Sequence, residues 1–447
     1  MEGDVTGRVP WLELWRDLVK EAGEWLPDLD MPINYMDEPR LLVPFDEISR
    51  LVAEAHETKR VTPVNMTKAA YSPIRADDNT TEPYDPEWFH APTKYWDYAR
   101  VACHPDTPGR NVPALADFSG PLPFPAEPYD PPYSYAGFVR NFTAATDPCL
   151  QPHLRGLHGT FISPISMQTA TELIPLFGGS KLPVNNEILI PAAMYLPVDE
   201  FYYGGDDHGP PWSQKEDHII WRGVGSGGIA TPDRWRGFQR HRMVEMLNGT
   251  KVSLIENRHI ISGETFRLPP LEAYDYPRAR ERKLGEWLSE KADVGFNNLL
   301  CRPPCEHLGP WYREVEGMKM KDQYRFKFAP DVDGNSFSGR FRGLMMSTSL
   351  PIKATVYAEW HDDRLKPWLH FVPVDNTFRD LYAVLDFFTS SEKGDAAAGF
   401  IAANGATWAQ QVLRREDMLL YTWRVLLEFA RVCDEEREVL GFVEDLL

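Results

Sequence analysis

Apolar residues recur at helical spacing in three parts of the chain. Behind Pro10, which suits a first helical turn, Trp11, Trp15, Leu18, Ala22 and Trp25 predict an amphipathic helix over residues 10–26. A second helix is expected from Asp46 to Glu57, after the extended, Pro39-broken segment DMPINYMDEPR. Near the end, WAQQVLRREDMLLYTWRVLLEFARV reads as one long helix with Trp408, Val412, Leu419, Trp423, Leu426 and Ala430 inward. From residue 215 short apolar runs alternate with helical stretches. HIIWRG predicts a strand ending at Arg222 and Gly223, followed by the Gly-rich turn VGSGG and a helix around Arg236–Leu247. VSLIE is a second strand candidate. YRFKF alternates with period two, placing Tyr324, Phe326 and Phe328 on one face. DVDGN is a turn, SFSGRFRGLMMS reads as a helix with Phe337, Phe341 and Leu344 on one side, and LPIKA is the next strand. Strand, turn, helix and strand in that order mark a parallel α/β sheet.

Residues 60–160 break this rhythm. The stretch is dense in Pro, Tyr, Trp, Asp and Asn, as in EPYDPEWFHAPTKYWDY, and turn residues dominate it. It reads as long ordered loops, either a packed excursion or a wall that binds an acceptor. The 447 residues suggest two to three domains, and the 39 prolines and 14 tryptophans fit long ordered connections and either core packing or sugar-binding surfaces. Lys and Arg number 47 against 66 Asp and Glu, a net charge of −19, which argues against general nucleic-acid binding. No apolar run reaches membrane-spanning length, and MEGDVTGRVPW shows no basic segment before an apolar core, so no signal peptide or anchor is visible. CRPPC lacks zinc-type spacing and a second pair, so Cys301 and Cys305, like Cys103, Cys149 and Cys433, are expected to be loop disulfides or inert thiols. Sequons at Asn65, Asn79, Asn141 and Asn248 hint at a secretory compartment.

The turn over 331–340 carries the most chemistry. A strand ends, Gly334 permits a tight turn, and a helix is expected to begin near Asn335–Ser336, where free N–H groups attract anions. Ser336 and Arg340, four apart, share a face, and Arg340 could grip a phosphate with two donors. Alternatively this is a capped helix with a surface Arg. Arg222 before its Gly-rich segment repeats the pattern, and the two strand ends together describe a diphosphate pocket. NYMDEPR offers two carboxylates, Asp37 and Glu38, at the end of an extended segment, either a general base over a crevice or a solvated turn acid or N-cap. Asp331 and Asp333 are a metal-holding pair or a turn, and Asp206–Asp207–His208 pose the same choice.

KFAPDVDGNSFSGRFRGLMMSTSLPIKA and EWHDDRLKPWLHFVPV resemble glycosyltransferase family 90, the capsule-associated-protein family. That family includes Rumi-type protein O-glucosyltransferases and fungal β-1,2-xylosyltransferases. WRG at 221–223, NEILIPAAMY and INYMDEP match further family segments, and LRREDMLLYTWRVLLEFARV resembles the C-terminal helix of the fungal members. The long segment between INYMDEP and NEILIP also looks more fungal than animal.

The resemblance implies an α/β, GT-B-like fold, with two Rossmann-like domains facing across a cleft and long Pro- and aromatic-rich loops. The expected division is an acceptor-side domain over 1–212, a UDP-binding domain over 213–400, and a C-terminal helix over 401–447 packing back on the first. It implies inverting transfer from a UDP-α-sugar, xylose first and glucose next, to a glycan or glycoprotein acceptor, forming a β linkage. Asp37 would be the base. Arg222, Gly223, Ser226, Gly227, Asn335, Ser336, Phe337, Ser338, Gly339 and Arg340 would hold the UDP diphosphate, with Gly228 beside them. Glu359, Trp368 and His370 lie in a patterned segment without an assigned role. Two Arg groups and a helix start can replace a metal, so no essential metal or cofactor is expected and DVD is read as structural. The family implies residence in the Golgi or endoplasmic-reticulum lumen. The rival class is a nucleotide-independent glycan hydrolase or binding protein.

Overall fold

The computed structural model describes residues 9–72, 84–199, 201–302 and 304–441; the Asn79 sequon lies outside them. The first helix, α1, is Val9–Glu21, with Trp15 and Leu18 buried as the spacing requires. A short 3₁₀ turn, Gly23–Trp25, ends it, and Trp25 is exposed rather than inward. The second expected helix covers Phe45–Thr58. Within the Pro-rich stretch a helix not expected from the sequence, Tyr95–Ala102, buries Tyr95, Trp96 and Ala99. A Cys103–Cys149 disulfide ties that helix to the loops that follow.

The C-terminal half is built on five parallel strands: β1 (Glu216–Ala230), β2 (Ala292–Cys301), β3 (Phe326–Val332), β4 (Leu350–Ala354) and β5 (Val372–Pro373). Their spatial order is β2-β1-β3-β4-β5, and every pairing is parallel. This confirms an α/β sheet and the LPIKA strand. Phe326 and Phe328 face the core, while buried Tyr324 precedes the strand at the end of a short helical turn.

Three expectations fail, each for an identifiable physical reason. First, HIIWRG does not end at Gly223: β1 continues through VGSGG to Ala230, with register shifts after Gly223 and Gly225. The glycines serve a bulged strand under close packing rather than a turn. Gly227 and Gly228 have φ of +125° and +138°, and a Cβ on neighbouring Gly159 would fall 1.4 Å from the Gly227 carbonyl oxygen. The following helix, α2, is Gln239–Met246. Second, VSLIE is helical, within Gly249–Glu256. Asn248 caps it by accepting the Lys251 N–H at 3.0 Å, and Gly249 packs on Gly285 of the helix Leu284–Lys291 too closely for any Cβ. A five-residue apolar run does not distinguish strand from helix. Third, the long C-terminal helix is two: α4 (Glu392–Val412) and α5 (Arg415–Cys433), after the short α3 (Phe341–Met346). Arg414 and Asp417 form a reciprocal cap that starts α5 afresh. Met418, Thr422, Leu426 and Ala430 are its buried row, while Trp408 stays more than a third exposed and donates to Arg364 O.

Two apolar clusters result. One surrounds the sheet and includes Ile219, Trp221, Phe328, Ile352 and Tyr382. The other joins Trp15, Leu18, Trp96 and Phe177 to Phe341 of α3 and to Met418 and Leu426 of α5. The last helix therefore packs on α1, where Arg415 also pairs with Glu21. In this half Phe177–Gly178 and Ile188–Leu189 pair in parallel, and Ile33 bridges to Phe177 in parallel. Cys301 and Cys305 form a second disulfide and Cys433 is free. No described helix is long and apolar enough to cross a membrane.

Candidate active site

A cavity of about 650 Å³ opens beyond the end of β3, walled by the bulged part of β1, the 334–340 turn, and Trp11, Asp37, Met194, Phe201 and Tyr202 from the N-terminal half. Its cationic wall is organised by one indole. Trp221 is fully buried on β1, and the guanidinium carbons of Arg340 and Arg240 lie 5.0 and 5.6 Å from its ring centroid. Such placement is favourable for a cation over an aromatic face.

The two guanidinium groups are held differently. Arg240, from α2, donates to Ser226 Oγ at 2.6 Å, to Val224 O at 3.0 Å and to Val332 O. Burial, then the neighbouring charge of Arg340, pushes its pKa down to about 9. Arg340 donates through Nη1 to the Arg222 carbonyl at 3.2 Å, while its Nη2 is buried without a hydrogen-bond partner. Burial lowers its pKa too, against the pull of Asp331, whose Oδ1 is 3.9 Å away. Two cations crowded beside one cavity, one with an unmet donor, form a site for an anion.

Arg222 plays another part. Its guanidinium pairs with Asp293 at 2.5 Å and donates to the Asp293 and Glu316 carbonyls. It lines the cavity, but the guanidinium beside Arg340 is Arg240. Alternation along β1 separates the two: Arg240 and Arg340 lie over the Trp221 ring, and the next side chain, Arg222, leaves from the opposite face of the strand, where Asp293 and Glu316 engage it. Arg222 and Arg340, the expected diphosphate pair, both line the cavity, and Arg240 joins them there.

The turn itself is not a helix start. Residues 334–340 are irregular and α3 begins only at Phe341. Ser338 is buried and donates to Asp331, and Gly339 packs so tightly that a Cβ would lie 2.3 Å from Met194 Sδ. These contacts hold the backbone out of helical geometry. Beneath it lies a buried polar network. Lys353 Nζ is 3.1 Å from Asp331 Oδ2 and 3.6 Å from Glu359 Oε1, and Tyr195 donates to Glu359 Oε2 at 2.6 Å. Asp333 accepts from Thr355 Oγ1 at 2.6 Å and Val356 N at 2.8 Å, with His158 Nε2 at 3.3 Å. Both carboxylates of DVD are therefore engaged by protein groups that shape the turn. Glu359 belongs to this network. Trp368 donates to Val139 O and His370 stacks on Trp408, so neither lines the cavity. Asp207 accepts from Gly209 N, a turn contact.

Asp37 stands across the cavity. Asn335 Nδ2 donates to Asp37 Oδ2 at 3.1 Å, while Asn335 Oδ1 accepts the Gly227 N–H at 3.0 Å. The backbone donor fixes which end of the amide faces Asp37. Next to it, buried Glu38 accepts from the Ile165 and Ser166 N–H groups and anchors the segment. Burial, then the charge of Asp37, pushes the Glu38 carboxyl above its ordinary value.

Of the residues expected from the sequence, Asp37, Arg222, Gly223, Ser226, Asn335, Ser336, Phe337, Gly339 and Arg340 line the cavity. Gly227 and Ser338 do not; the Gly227 N–H holds Asn335, which does, Ser338 donates to Asp331 beneath the turn, and Gly228 also lies outside the lining. Arg240 was missed. Its signal is QRHR one bulged strand after WRG, legible only once the glycines are seen to lie in β1.

Comparison with known proteins bears on the C-terminal part. The Glycosyl transferase family 90 profile matches residues 309–440, which include Arg340, Lys353 and Glu359 but not Asp37, Arg222 or Arg240. Protein O-glucosyltransferase 3 of Mus musculus is 32% identical over 110 residues, 24% of this chain and 21% of the relative. O-glucosyltransferase rumi of Drosophila melanogaster is 32% identical over 119 residues, 26% of this chain and 28% of the relative. O-glucosyltransferase LpsA of Dichelobacter nodosus is 31% identical over 134 residues, 29% of this chain and 40% of the relative. The chain thus spans well under half the length of each of these relatives. Residues 309–440, the segment that builds the turn and much of its buried network, are thus similar to glycosyl transferase family 90.

Proposed function

We propose that the protein is an inverting glycosyltransferase that moves a sugar from a UDP-α-sugar to an acceptor hydroxyl. The observation that carries this reading is one cavity with two guanidinium groups on one wall and Asp37 on another, spanned by Asn335. An acceptor hydroxyl is too weak an acid to attack C1 unaided at neutral pH. Asp37 takes its proton as the new bond forms, contributing about 10²–10⁴-fold. The bond from C1 to the β-phosphate oxygen breaks on the opposite face, and the phosphate leaves with the electron pair. Arg340 and Arg240 are already in place where that charge grows, and fixed donors of this kind supply the largest share of catalysis. Asp331 and Asp333 are engaged by Lys353, Ser338, Thr355 and Val356, so charge neutralisation is assigned to the guanidinium groups and no essential metal or cofactor is invoked.

The donor sugar is weighed by the relatives' names. All three are called O-glucosyltransferases, so UDP-glucose is placed before the expected UDP-xylose. A GT-B arrangement, with halves at 1–212 and 213–400 and the C-terminal helix returning to the first, agrees with a cavity between two apolar clusters. A lumenal, secretory setting is supported by two disulfides. A glycoside hydrolase fits less well: it needs two carboxyl groups about 5–9.5 Å apart across the bond, and Asp37 is the one carboxylate among the described lining residues. Hydrolysis and transfer assays over a panel of UDP-sugars test the proposal. Turnover of any UDP-sugar supports it; activity on glycosides with no UDP-sugar turnover refutes it.

A further inference from the structure

Asp37 lies on the wall between two cavities. A second, much smaller chamber shares Trp11, Asp37, Met194, Ser336 and Phe337 with the large one and extends away from the guanidinium groups, toward Trp15, Asn34 and Ser180. It holds about 20 Å³, close to the minimum that accommodates one water-sized group. Its polar lining is uneven. Asn34 is fully committed: its amide donates to Glu38 O at 2.9 Å and accepts from Met36 N and Arg40 Nε. The hydroxyls of Ser180 and Ser336 are different. These residues are only 4% and 5% exposed, and neither hydroxyl hydrogen-bonds to any described residue. Both residues line the chamber, and two hydroxyls with no described partner around one hydroxyl-sized space mark a place for a polar ligand atom.

We infer that this chamber receives the acceptor hydroxyl, and that the acceptor is a carbohydrate lying against Trp11 at the chamber's mouth. The inference rests on the transferase reading above and adds the acceptor's seat and class. A serine hydroxyl both donates and accepts, which matches a sugar hydroxyl. At the chamber's mouth Trp11 offers a broad apolar surface suited to the C–H face of a pyranose ring. Only a hydroxyl fits inside, so the ring must stay outside, where Trp11 is half-buried and reaches both cavities. The step then balances. Asp37 accepts the hydroxyl proton, the acceptor oxygen bonds to C1 of the donor, the C1–O bond to the β-phosphate breaks, and UDP departs with the electron pair.

The test compares the parent with Ser180→Ala, Ser180→Val and Trp11→Ala. UDP affinity is measured by calorimetry, thermal midpoints report folding, and transfer is measured to octyl pyranosides and to serine- and threonine-containing peptides. The expected result is an acceptor KM raised about tenfold by Ser180→Ala and by Trp11→Ala, one lost hydrogen bond or stacking contact each. Ser180→Val fills the chamber and should lower transfer to pyranosides by at least about a hundredfold, with the UDP dissociation constant within twofold of the parent. Pyranoside transfer by folded Ser180→Val within twofold of the parent overturns the chamber. Transfer to peptides and to no pyranoside overturns the carbohydrate class. Either result, with UDP still bound, leaves the donor reading standing, whereas a parent that binds no UDP overturns both.

Discussion

Replacing Arg340 by Met should separate stability from function. Arg340 is 8% exposed, its Nη2 has no hydrogen-bond partner, and the nearest carboxylate, Asp331, is already paired with Lys353. A buried charge in this position is a cost to the fold, and an apolar side chain of similar volume is often neutral or stabilising there. Met would keep the contact with Trp221. The unliganded variant is therefore expected to unfold at the same temperature as the parent or higher. Ligand binding should change in the opposite sense. The unmet donor is assigned to the diphosphate, and one charge-assisted hydrogen bond is worth roughly 1.5–3 kcal/mol. UDP affinity should fall by about 10- to 150-fold. Uridine, which has no phosphate, serves as the control and should bind parent and variant alike. Calorimetry with both ligands and a thermal scan without ligand decide the matter. A UDP dissociation constant within twofold of the parent, or an equal loss for uridine, would refute the diphosphate assignment.

Lys353→Met removes the cation that bridges Asp331 and Glu359, two buried carboxylates whose remaining cationic neighbours are Arg340 and His361, a loss of about 3–5 kcal/mol visible in denaturant unfolding; an unchanged midpoint would contradict the role of this network. Cys149→Ser opens a link spanning 46 residues and should cost about 4 kcal/mol on the chain-entropy argument, read as a lower unfolding temperature under oxidising conditions. His241 is enclosed by Trp235, Phe238, Phe296 and Tyr312 with neither ring nitrogen hydrogen-bonded, and burial, then Arg240, pushes its pKa to about 3. The folded protein thus binds this proton more weakly than the unfolded chain, so its contribution is intact above pH about 6.5 and declines toward pH 3. His241→Leu should narrow the difference in unfolding midpoint between pH 7 and pH 4.5, and an unaltered difference would contradict the assignment.

The site was more legible in the sequence than the elements that carry it. Asp37, Asn335 and Arg340 come from motifs whose chemistry requires those side chains, and all three line the cavity. Arg240 was illegible because its position depends on the path of VGSGG. Read locally, its three glycines signal a turn; in the fold they let a strand bulge beneath Gly159 and Gln239, contacts more than ten residues distant that no local pattern encodes. The same holds for the 334–340 turn. SFSGRFRG has helical periodicity, yet Ser338 bonds to Asp331 and Gly339 packs on Met194, and tertiary contacts outweigh the local preference. The helix Tyr95–Ala102 was hidden among prolines because its eight residues are too few to establish a period. Arg414 masked the break before α5 because its capping partner, Asp417, also suits a continuous helix.

The decisive measurement is UDP affinity and UDP-glucose turnover for Asp37→Asn beside the parent. Asn keeps the shape and can still meet Asn335, but it cannot take a proton. The account predicts a UDP dissociation constant within about twofold of the parent and turnover lower by about 10²–10⁴-fold. Parent-like turnover by this variant, with UDP bound normally, would contradict the assignment of Asp37 as the base.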